Sequence, residues 1–359
     1  MSKNYSIYIA LWFLIRLVIE VNCQVEPFKP LKRYAHTATL IDNKLYILGG
    51  RVTSTTNNEN IGKQFFYLDV SVPFNTKYLT WNDLTEINII PAHRAASSAR
   101  GGVYNDTLFL YGAGNDKGNL ELVYTFDTKS NSWSIPKLTG NEDTFNMKFN
   151  LRGIADDNGN MYLFGGNKVD RKTYYNDMLI LDTINLNLKV GSSVDAPNIR
   201  NLYGATFIQS NFIIYFGGSM NDDHFAYPLK EITSGTIPSD RASFSTVLSL
   251  DGQRVIIFGG EVHDNIIELQ YAFYVLNLTN FEWSIPKLSG NKPAESRAWH
   301  EADVIGKYMV ISFGVGNNED KDSDDILLLD ISNNEEYIWT NTFELSTKQS
   351  TQLSIPAII

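Results

Sequence analysis

The feature that most constrains this chain is a short apolar strand ending in glycine that is written six times. The copies are KLYILGG (44–50), TLFLYGAG (107–114), NMYLFGG (160–166), FIIYFGG (212–218), RVIIFGG (254–260) and YMVISFGVG (308–316). Their first glycines lie at 49, 112, 165, 217, 259 and 314, so neighbouring copies are separated by 63, 53, 52, 42 and 55 residues. Self-similarity at such a period is typical of propellers and other repeat architectures. The chain is therefore expected to fold as an array of six similar units.

Each copy sits in the same frame of strands. An alternating segment and a polar turn precede it, as in HTATLIDNK (36–44), and this pattern indicates a hairpin. Third strands follow after a polar loop, as in FFYLDV (65–70) and ILLLDI (326–331). Aromatic residues make up 13% of the chain and favour pleated, half-buried surfaces. A fourth strand is marked in four of the units by a tryptophan: Trp81, Trp133, Trp283 and Trp339. Each unit is therefore predicted to be a four-stranded antiparallel meander.

Two units depart from this frame. The third has LNLKV (186–190) where the tryptophan is expected, and the fourth has only FAYPLKEI (225–232) before the next unit begins. We therefore expect the fourth unit to have a reduced outer edge. The longest literal repeat, WSIPKLTGN (133–141), recurs as WSIPKLSGN (283–291) three units later.

The frame of strand, glycine pair, strand and tryptophan resembles the kelch repeat over about residues 33–343. The resemblance implies an all-β fold, a six-bladed kelch-type β-propeller with four-stranded antiparallel blades around a central channel. Its domain would span residues 24–343, with repeats starting near 33, 94, 148, 200, 241 and 297, followed by a tail, 344–359. How the ring closes stays open, because either residues 24–32 or the tail after Phe343 offers an additional outer strand.

The N-terminal residues predict the compartment. Lys3 precedes an apolar run, 7–21, and the small residue Cys23 stands just before Gln24. This pattern is typical of a secretory signal, residues 1–23, and predicts a secreted, extracellular product without a membrane span in the mature chain. The alternative is an uncleaved anchor, but two charges interrupt the run, and a bilayer requires about 20 apolar residues.

Charge and cysteine content exclude several classes of function. The formal net charge of −10 offers no basic surface for phosphates, so nucleic acid is not an expected partner. Cys23 is the one cysteine and lies in the predicted signal, which leaves no thiol for disulfides, thiolate metal sites or nucleophilic catalysis. Two Asn-X-Thr sequons, at Asn105 and Asn277, are candidate glycosylation sites in a secreted protein. Asn105, in a predicted hairpin turn, is the better candidate.

The loops that lead into the first strands are the candidate binding surface, because they converge at one channel mouth. Arginines at five repeat starts are predicted to form a basic ring suited to an anionic peptide or sugar acid. Two histidines occupy equivalent positions, in Arg33-Tyr-Ala-His36 and Arg297-Ala-Trp-His300. The alternative is that these residues hold the blades together. The candidates are Arg33, Tyr34, His36, Arg94, Arg200, Tyr203, Arg241, Arg297, Trp299 and His300.

The first functional hypothesis is a secreted kelch-repeat module that binds a protein or glycan partner through the loops of one face. The alternative is a carbohydrate-active propeller enzyme, because the repeats are similar to the propeller domain of galactose oxidase. That resemblance implies a copper site with a tyrosine crosslinked to cysteine, and the mature chain has no cysteine. The hypothesis therefore leans against an enzyme, with no cofactor and no metal site. The acidic segment 319–325 is interpreted as a solvated loop, because Asp325 stands where a calcium loop requires glycine.

Overall fold

The computed structural model describes residues 12, 26–53, 58–114, 120–141, 145–168, 170, 172–208, 212–221, 224–225, 233–317, 322–323 and 325–345. Apart from Trp12, the predicted signal 1–23 lies outside the described residues, as do most of the tail and part of the acidic segment 319–325. The helical elements of residues 26–345 whose bounds the structure describes are the α-helix Asn58–Lys63 and the 3₁₀ turns Thr85–Ile87 and Leu269–Tyr271. None of these described helices is long and apolar enough to cross a bilayer.

The first three repeats fold into separate sheets. The first repeat contains β1 (Thr37–Ile41), β2 (Lys44–Leu48), β3 (Phe65–Asp69), β4 (Phe74–Asn75) and β5 (Trp81–Asp83). The second contains β6 (Ser97–Gly101), β7 (Thr107–Tyr111), β8 (Val123–Asp127) and β9 (Ser132–Ser134). After β10 (Thr139–Gly140), the third contains β11 (Gly153–Ala155), β12 (Asn160–Phe164), β13 (Met178–Asp182) and β14 (Asn187–Val190). The sheet orders are β1-β2-β3-β5, β6-β7-β8-β9 and β10-β14-β13-β12-β11.

The last three repeats differ from one another. The fourth contains β15 (Gly204–Ile208), β16 (Phe212–Phe216), β17 (Ser219–Asn221) and β18 (His224–Phe225). After β19 (Ser234–Gly235), the fifth contains β20 (Ser245–Leu248), β21 (Arg254–Phe258), β22 (Glu261–Val262), β23 (Asn265–Ile266), β24 (Phe273–Asn277) and β25 (Glu282–Ser284). After β26 (Leu288–Gly290), the sixth contains β27 (Glu301–Ile305), β28 (Tyr308–Ser312), β29 (Ile326–Asp330) and β30 (Tyr337–Thr340), and β31 (Thr342–Phe343) follows. The two large sheets have the orders β19-β25-β24-β21-β20 and β26-β30-β29-β28-β27.

The described residues therefore form an all-β propeller of five blades with four or five strands each, and the prediction of six four-stranded blades was wrong. The fourth repeat forms only the two-stranded sheet of β15 and β16, together with the short hairpin of β17 and β18. The chain between this repeat and the next is short, and its end, Ser234–Gly235, pairs with the fifth repeat's sheet instead. Most of the segment FAYPLKEI, 226–232, lies outside the described residues.

A fifth strand in three blades explains the literal sequence repeat. After leaving one blade, the chain adds a short parallel strand to the outer edge of the next: β10 beside β14, β19 beside β25 and β26 beside β30. Thr139–Gly140 and Leu288–Gly290, which belong to the repeated segments, form two of these edge strands. Glycine is required there, because a Cβ at Gly290 would lie 2.2 Å from the carbonyl oxygen of Trp339.

Among the described residues, the ring closes through β31, which precedes the tail. The first strands contact one another in the cyclic order β1, β6, β11, β15, β20, β27 and back to β1. At the outer edge, β31 pairs antiparallel with β4, and the rings of Phe74 and Phe343 stack at 4.7 Å. The closing strand thus ends at the residue before the tail, and Phe28 adds only a packing contact with Phe66 at 5.4 Å.

The core lies between neighbouring blades rather than within one sheet. Trp283 is 1% exposed and contacts Phe216 of the fourth repeat at 5.7 Å. Trp339 contacts Phe258 of the fifth repeat at 6.1 Å in the same way. In the third repeat, which lacks the tryptophan, the fully buried Leu188 belongs to the cluster at this position. The outer strand of each of these blades therefore packs against the preceding repeat.

Candidate functional site

One end of the central channel is formed by a closed ring of six backbone hydrogen bonds, which we call the amide ring. Each N–H donates to the carbonyl oxygen of the equivalent residue in the preceding repeat, over 2.8–3.2 Å. All six residues have a φ of 51–57°, the left-handed region that is costly for non-glycine residues. They are Ala35, Ala95, Asn150, Leu202, Ser243 and Trp299. The first strands of all six repeats, including the incomplete fourth, therefore start from one shared backbone geometry.

A basic residue precedes each member of the amide ring by two positions. The set is Arg33, His93, Lys148, Arg200, Arg241 and Arg297, so the second repeat has His93 here and Arg94 is the following residue. The guanidinium groups donate to carbonyl oxygens at the end of the second strand. Examples are Arg33 to Gly49 at 2.8 Å and Arg241 to Gly259 at 3.1 Å. These side chains lie between blades and do not line the channel.

The buried basic groups are matched by polar partners. Burial lowers the pKa of Arg33 to about 9 and that of Arg241 to about 10, so both stay charged at neutral pH. Arg297 forms an ion pair with Asp325 at 2.9 Å, and the Lys148 ammonium with Asp177 at 2.8 Å. Because buried charges need such partners, this arrangement fits the role of holding blades together. A ligand-binding role for the arginines stays a prediction.

The two repeated histidines are also buried. The Nε2 of His36 lies 2.9 Å from the Ser312 hydroxyl, and the Nε2 of His300 lies 2.8 Å from that of Ser245. Burial, with the nearby arginines, places the pKa of both imidazoles well below the usual value. They are neutral at physiological pH. Among the described residues, no three histidine, cysteine or acidic side chains gather as a metal site would require.

The channel itself has a volume of about 590 Å³ and is lined by the first strands of all six repeats. Its charged lining residues are Arg100, Arg152, Glu301 and Asp303. The Nη1 of Arg152 and the Oε2 of Glu301 lie 3.1 Å apart. Because the third and sixth repeats lie opposite each other in the ring, this ion pair crosses the channel. Arg152 also donates to the carbonyl oxygen of Ala302 at 3.3 Å.

The acidic groups of the channel belong to one repeat. Burial raises the pKa of Glu301 and of Asp303, and the positive charge of Arg152 opposes that shift in both. Arg100 opposes it further at Asp303. The channel is therefore dipolar, with carboxylates on the sixth repeat and guanidinium groups on the second and third.

Four of the ten predicted binding residues line the channel: His36, Tyr203, Trp299 and His300. Tyr203 is buried and donates from its hydroxyl to the carbonyl oxygen of Phe164 at 2.7 Å. Tyr34 is half-buried near the amide ring and contacts Trp299 with ring centroids 6.2 Å apart. The other five predicted residues, Arg33, Arg94, Arg200, Arg241 and Arg297, do not line it.

Sequence reasoning missed the four charged channel residues. Their signal was present as charges inside or directly before short first strands, in SARG (98–101), LRGIA (151–155) and EADVI (301–305). Such strands are otherwise small or apolar in this chain. Nothing local indicates that Arg152 and Glu301 meet, because their contact depends on ring closure.

Comparison with known proteins agrees with this architecture. A family model described as the KLHDC2/KLHL20/DRC7 kelch-repeats domain matches residues 35–229. Kelch domain-containing protein 3 from Bos taurus is 26% identical over 203 residues, which cover 52% of this chain and 48% of that protein. Host cell factor 1 from Homo sapiens is 24% identical over 255 residues, covering 62% of this chain and 12% of that protein. The alignments thus span about half of the first relative and a small part of the second.

A solved structure described as the structure of YjhT is similar with a TM-score of 0.62. The match covers 89% of this chain and 100% of that chain, at 13% sequence identity. At this identity the likeness concerns the fold alone.

Proposed function

Since the chain belongs to the KLHDC2/KLHL20/DRC7 kelch-repeat family, we propose that it is a protein-interaction module. The observation that carries the proposal is the match of the family model to residues 35–229, which contain the first four members of the amide ring. A rigid ring of repeats holds its connecting loops in fixed positions, and such loops carry binding functions on propellers.

We place the binding surface at the amide-ring end of the channel. Tyr34 and Trp299 are half-buried there and contact each other, and the Arg51 guanidinium lies 5.3 Å from the Tyr34 ring centroid. Arg94 is also partly exposed at this end. Tyrosine, tryptophan and arginine dominate the energetics of protein interfaces, which favours a protein over a glycan as the partner.

The proposal is tested by capture experiments on the secreted full chain. A Tyr34→Ala/Arg94→Ala variant is compared with wild type and with Lys292→Ala, a change at an exposed position between β26 and the sixth repeat. We expect a protein partner that binds wild type and Lys292→Ala equally and is lost by the double variant, at unchanged thermal unfolding. Binding to a glycan array without protein capture would contradict the proposal, as would peroxide release from sugars by the copper-loaded chain.

Secretion and glycosylation are part of the proposal. The support for secretion is the signal-like sequence of residues 1–23. Asn105 lies in the turn between β6 and β7, beside the exposed residues Val103 and Tyr104. Asn277 instead ends β24, where its side-chain oxygen accepts a hydrogen bond from the Thr279 N–H at 2.8 Å.

Intact mass of protein secreted from eukaryotic cells tests this part. We expect an N-terminus at Gln24 and a glycosidase-sensitive mass on the Asn105 peptide. Retention of residues 1–23 would contradict secretion by a cleaved signal. A glycan confined to the Asn277 peptide would reverse the ranking of the sequons.

A further inference from the structure

Two opposite charges in the channel are left without a contact. The Arg152–Glu301 ion pair uses one charge of each sign. Within the described part of the chain, neither the Asp303 carboxylate nor the Arg100 guanidinium makes a hydrogen bond or ion pair, although both line the channel. They interact with each other only at longer range. A polar group in a partly buried site normally has a partner, so the Asp303 carboxylate points to a missing one. The exposed Arg100 guanidinium lies at the same end of the channel and carries the opposite charge.

The surroundings of this pair are mostly neutral. Arg100 is exposed and lies five positions after the amide ring, at the end of the channel where the first-strand hairpins turn. The equivalent residues of the other repeats are apolar: Leu40, Ala155, Phe207, Leu248 and Val304. Asp303 lies one position nearer the amide ring and is partly buried. This end of the channel therefore combines an apolar collar with one unpaired positive and one unpaired negative group.

We propose that the hairpin end of the channel binds a small zwitterion of the amino-acid and short-peptide class. The Asp303 carboxylate would bind the ligand's ammonium group, and the Arg100 guanidinium would bind its carboxylate. The apolar collar would contact the ligand's apolar side chains. The channel volume of about 590 Å³ falls in the range of small-molecule sites and accommodates a short peptide. The inference depends on the channel charges and is independent of the proposed protein partner at the amide-ring end.

A zwitterion fits better than a ligand of one charge. A purely cationic ligand at Asp303 would face Arg100 and Arg152, whereas a purely anionic ligand at Arg100 would face the two carboxylates. A ligand with both charges satisfies each unpaired group without leaving a buried like-charge contact. Electrostatic complementarity of this kind provides specificity.

The first experiment varies the ligand. Calorimetric titration of the full chain compares leucyl-leucine with its N-acetylated, its C-amidated and its doubly blocked forms. Removing one partner of a charged hydrogen bond typically costs a factor of ten or more in affinity. We therefore expect each single block to weaken binding at least about tenfold. Equal binding of a singly blocked form, or no binding of leucyl-leucine at millimolar concentration, would overturn the proposal.

The second experiment varies the protein and matches each substitution to one ligand block. Asp303→Asn should weaken binding of leucyl-leucine about tenfold, yet leave the N-acetylated form unaffected, because the interaction is already absent there. Arg100→Gln should behave in the same way toward the C-amidated form. Glu335→Gln and Lys292→Gln are matched charge controls at exposed positions. Thermal unfolding verifies that all four variants fold. The assignment would be refuted if the control variants lost as much affinity for leucyl-leucine as the channel variants. It would also be refuted if the channel variants lost no affinity.

Discussion

At the inner edge of the propeller, six residues of five different types adopt one backbone geometry, whereas at the outer edge the repeats differ in their number of strands. The amide ring contains alanine, asparagine, leucine, serine and tryptophan at a φ of 51–57°. The outer edges range from the five strands of the fifth repeat to the two-stranded sheet of the fourth.

The difference reflects which groups make the contacts. Inner contacts join backbone N–H and carbonyl groups, so they are available to any residue that tolerates the left-handed conformation. Outer contacts depend on particular side chains, such as Trp283 against Phe216, and on glycines that allow backbones to approach. We therefore expect the inner edge to tolerate substitutions that the outer edge does not, and four experiments test this comparison.

The largest effect is expected at the outer edge. Trp283→Ala should lower the free energy of unfolding by about 3–5 kcal/mol, because it removes a large side chain that is 1% exposed. Trp133 is only partly buried and serves as the comparison. Trp133→Ala should lower the free energy of unfolding by less than Trp283→Ala does. Denaturant unfolding of both variants measures the difference. Equal losses would show that burial does not decide the contribution of these tryptophans.

Close backbone approach gives the next effect. A Cβ on Gly259, at φ 72°, would lie 2.2 Å from the Arg297 carbonyl oxygen. Gly259→Ala should therefore destabilise the protein by about 3 kcal/mol, from the left-handed conformation and the clash together. Gly306 has a similar φ of 59° but nothing within 4 Å of its Cβ position. Gly306→Ala should cost only about 1–2 kcal/mol. The same loss in both variants would indicate that packing against the next repeat is unimportant.

A pH effect of similar size is expected from the buried histidines. Burial lowers the pKa of His93 to about 4, against a usual value of 6.5, so the folded state keeps the imidazole neutral. The unfolded chain binds the proton first as the pH falls. Stability is therefore complete above pH 6.5 and decreases toward pH 4, by up to about 3 kcal/mol for this group. Denaturant unfolding at several pH values should show a shallower decrease for His93→Gln than for wild type. Parallel curves would contradict this assignment.

The smallest effect is expected in the amide ring itself. Ala95→Gly relieves a left-handed φ of 51° but gives the unfolded chain more conformational freedom. These terms oppose each other, so the free energy of unfolding should change by less than about 1 kcal/mol. Thermal unfolding of Ala95→Gly and Gly259→Ala, measured side by side, compares the two effects directly. A large destabilisation would show that side chains, and not the backbone alone, hold the inner edge.

The kelch identification and the hairpin pattern were predicted from the sequence, and both are confirmed. The number of blades was predicted wrongly, because each of the six repeats was counted as a full blade. The sequence indicated a reduced outer edge in the fourth repeat, and the described part of that repeat forms only the sheet of β15 and β16 and a short hairpin. The candidate site was predicted only in part. Tyr203 and Trp299 line the channel, but Arg33 and Arg241 are buried between blades.

The sequence by itself determined the features that are local and repeated: strands, tight turns, the glycines that end second strands, and the tryptophans of the outer strands. These depend on short-range backbone geometry and on burial of apolar side chains, so they leave a periodic trace. Only the tertiary structure decided that Thr342–Phe343 closes the ring on Phe74–Asn75 and that Arg152 meets Glu301 across the channel. Such contacts join residues far apart in the chain, and they arise only when the repeats have turned through the full circle.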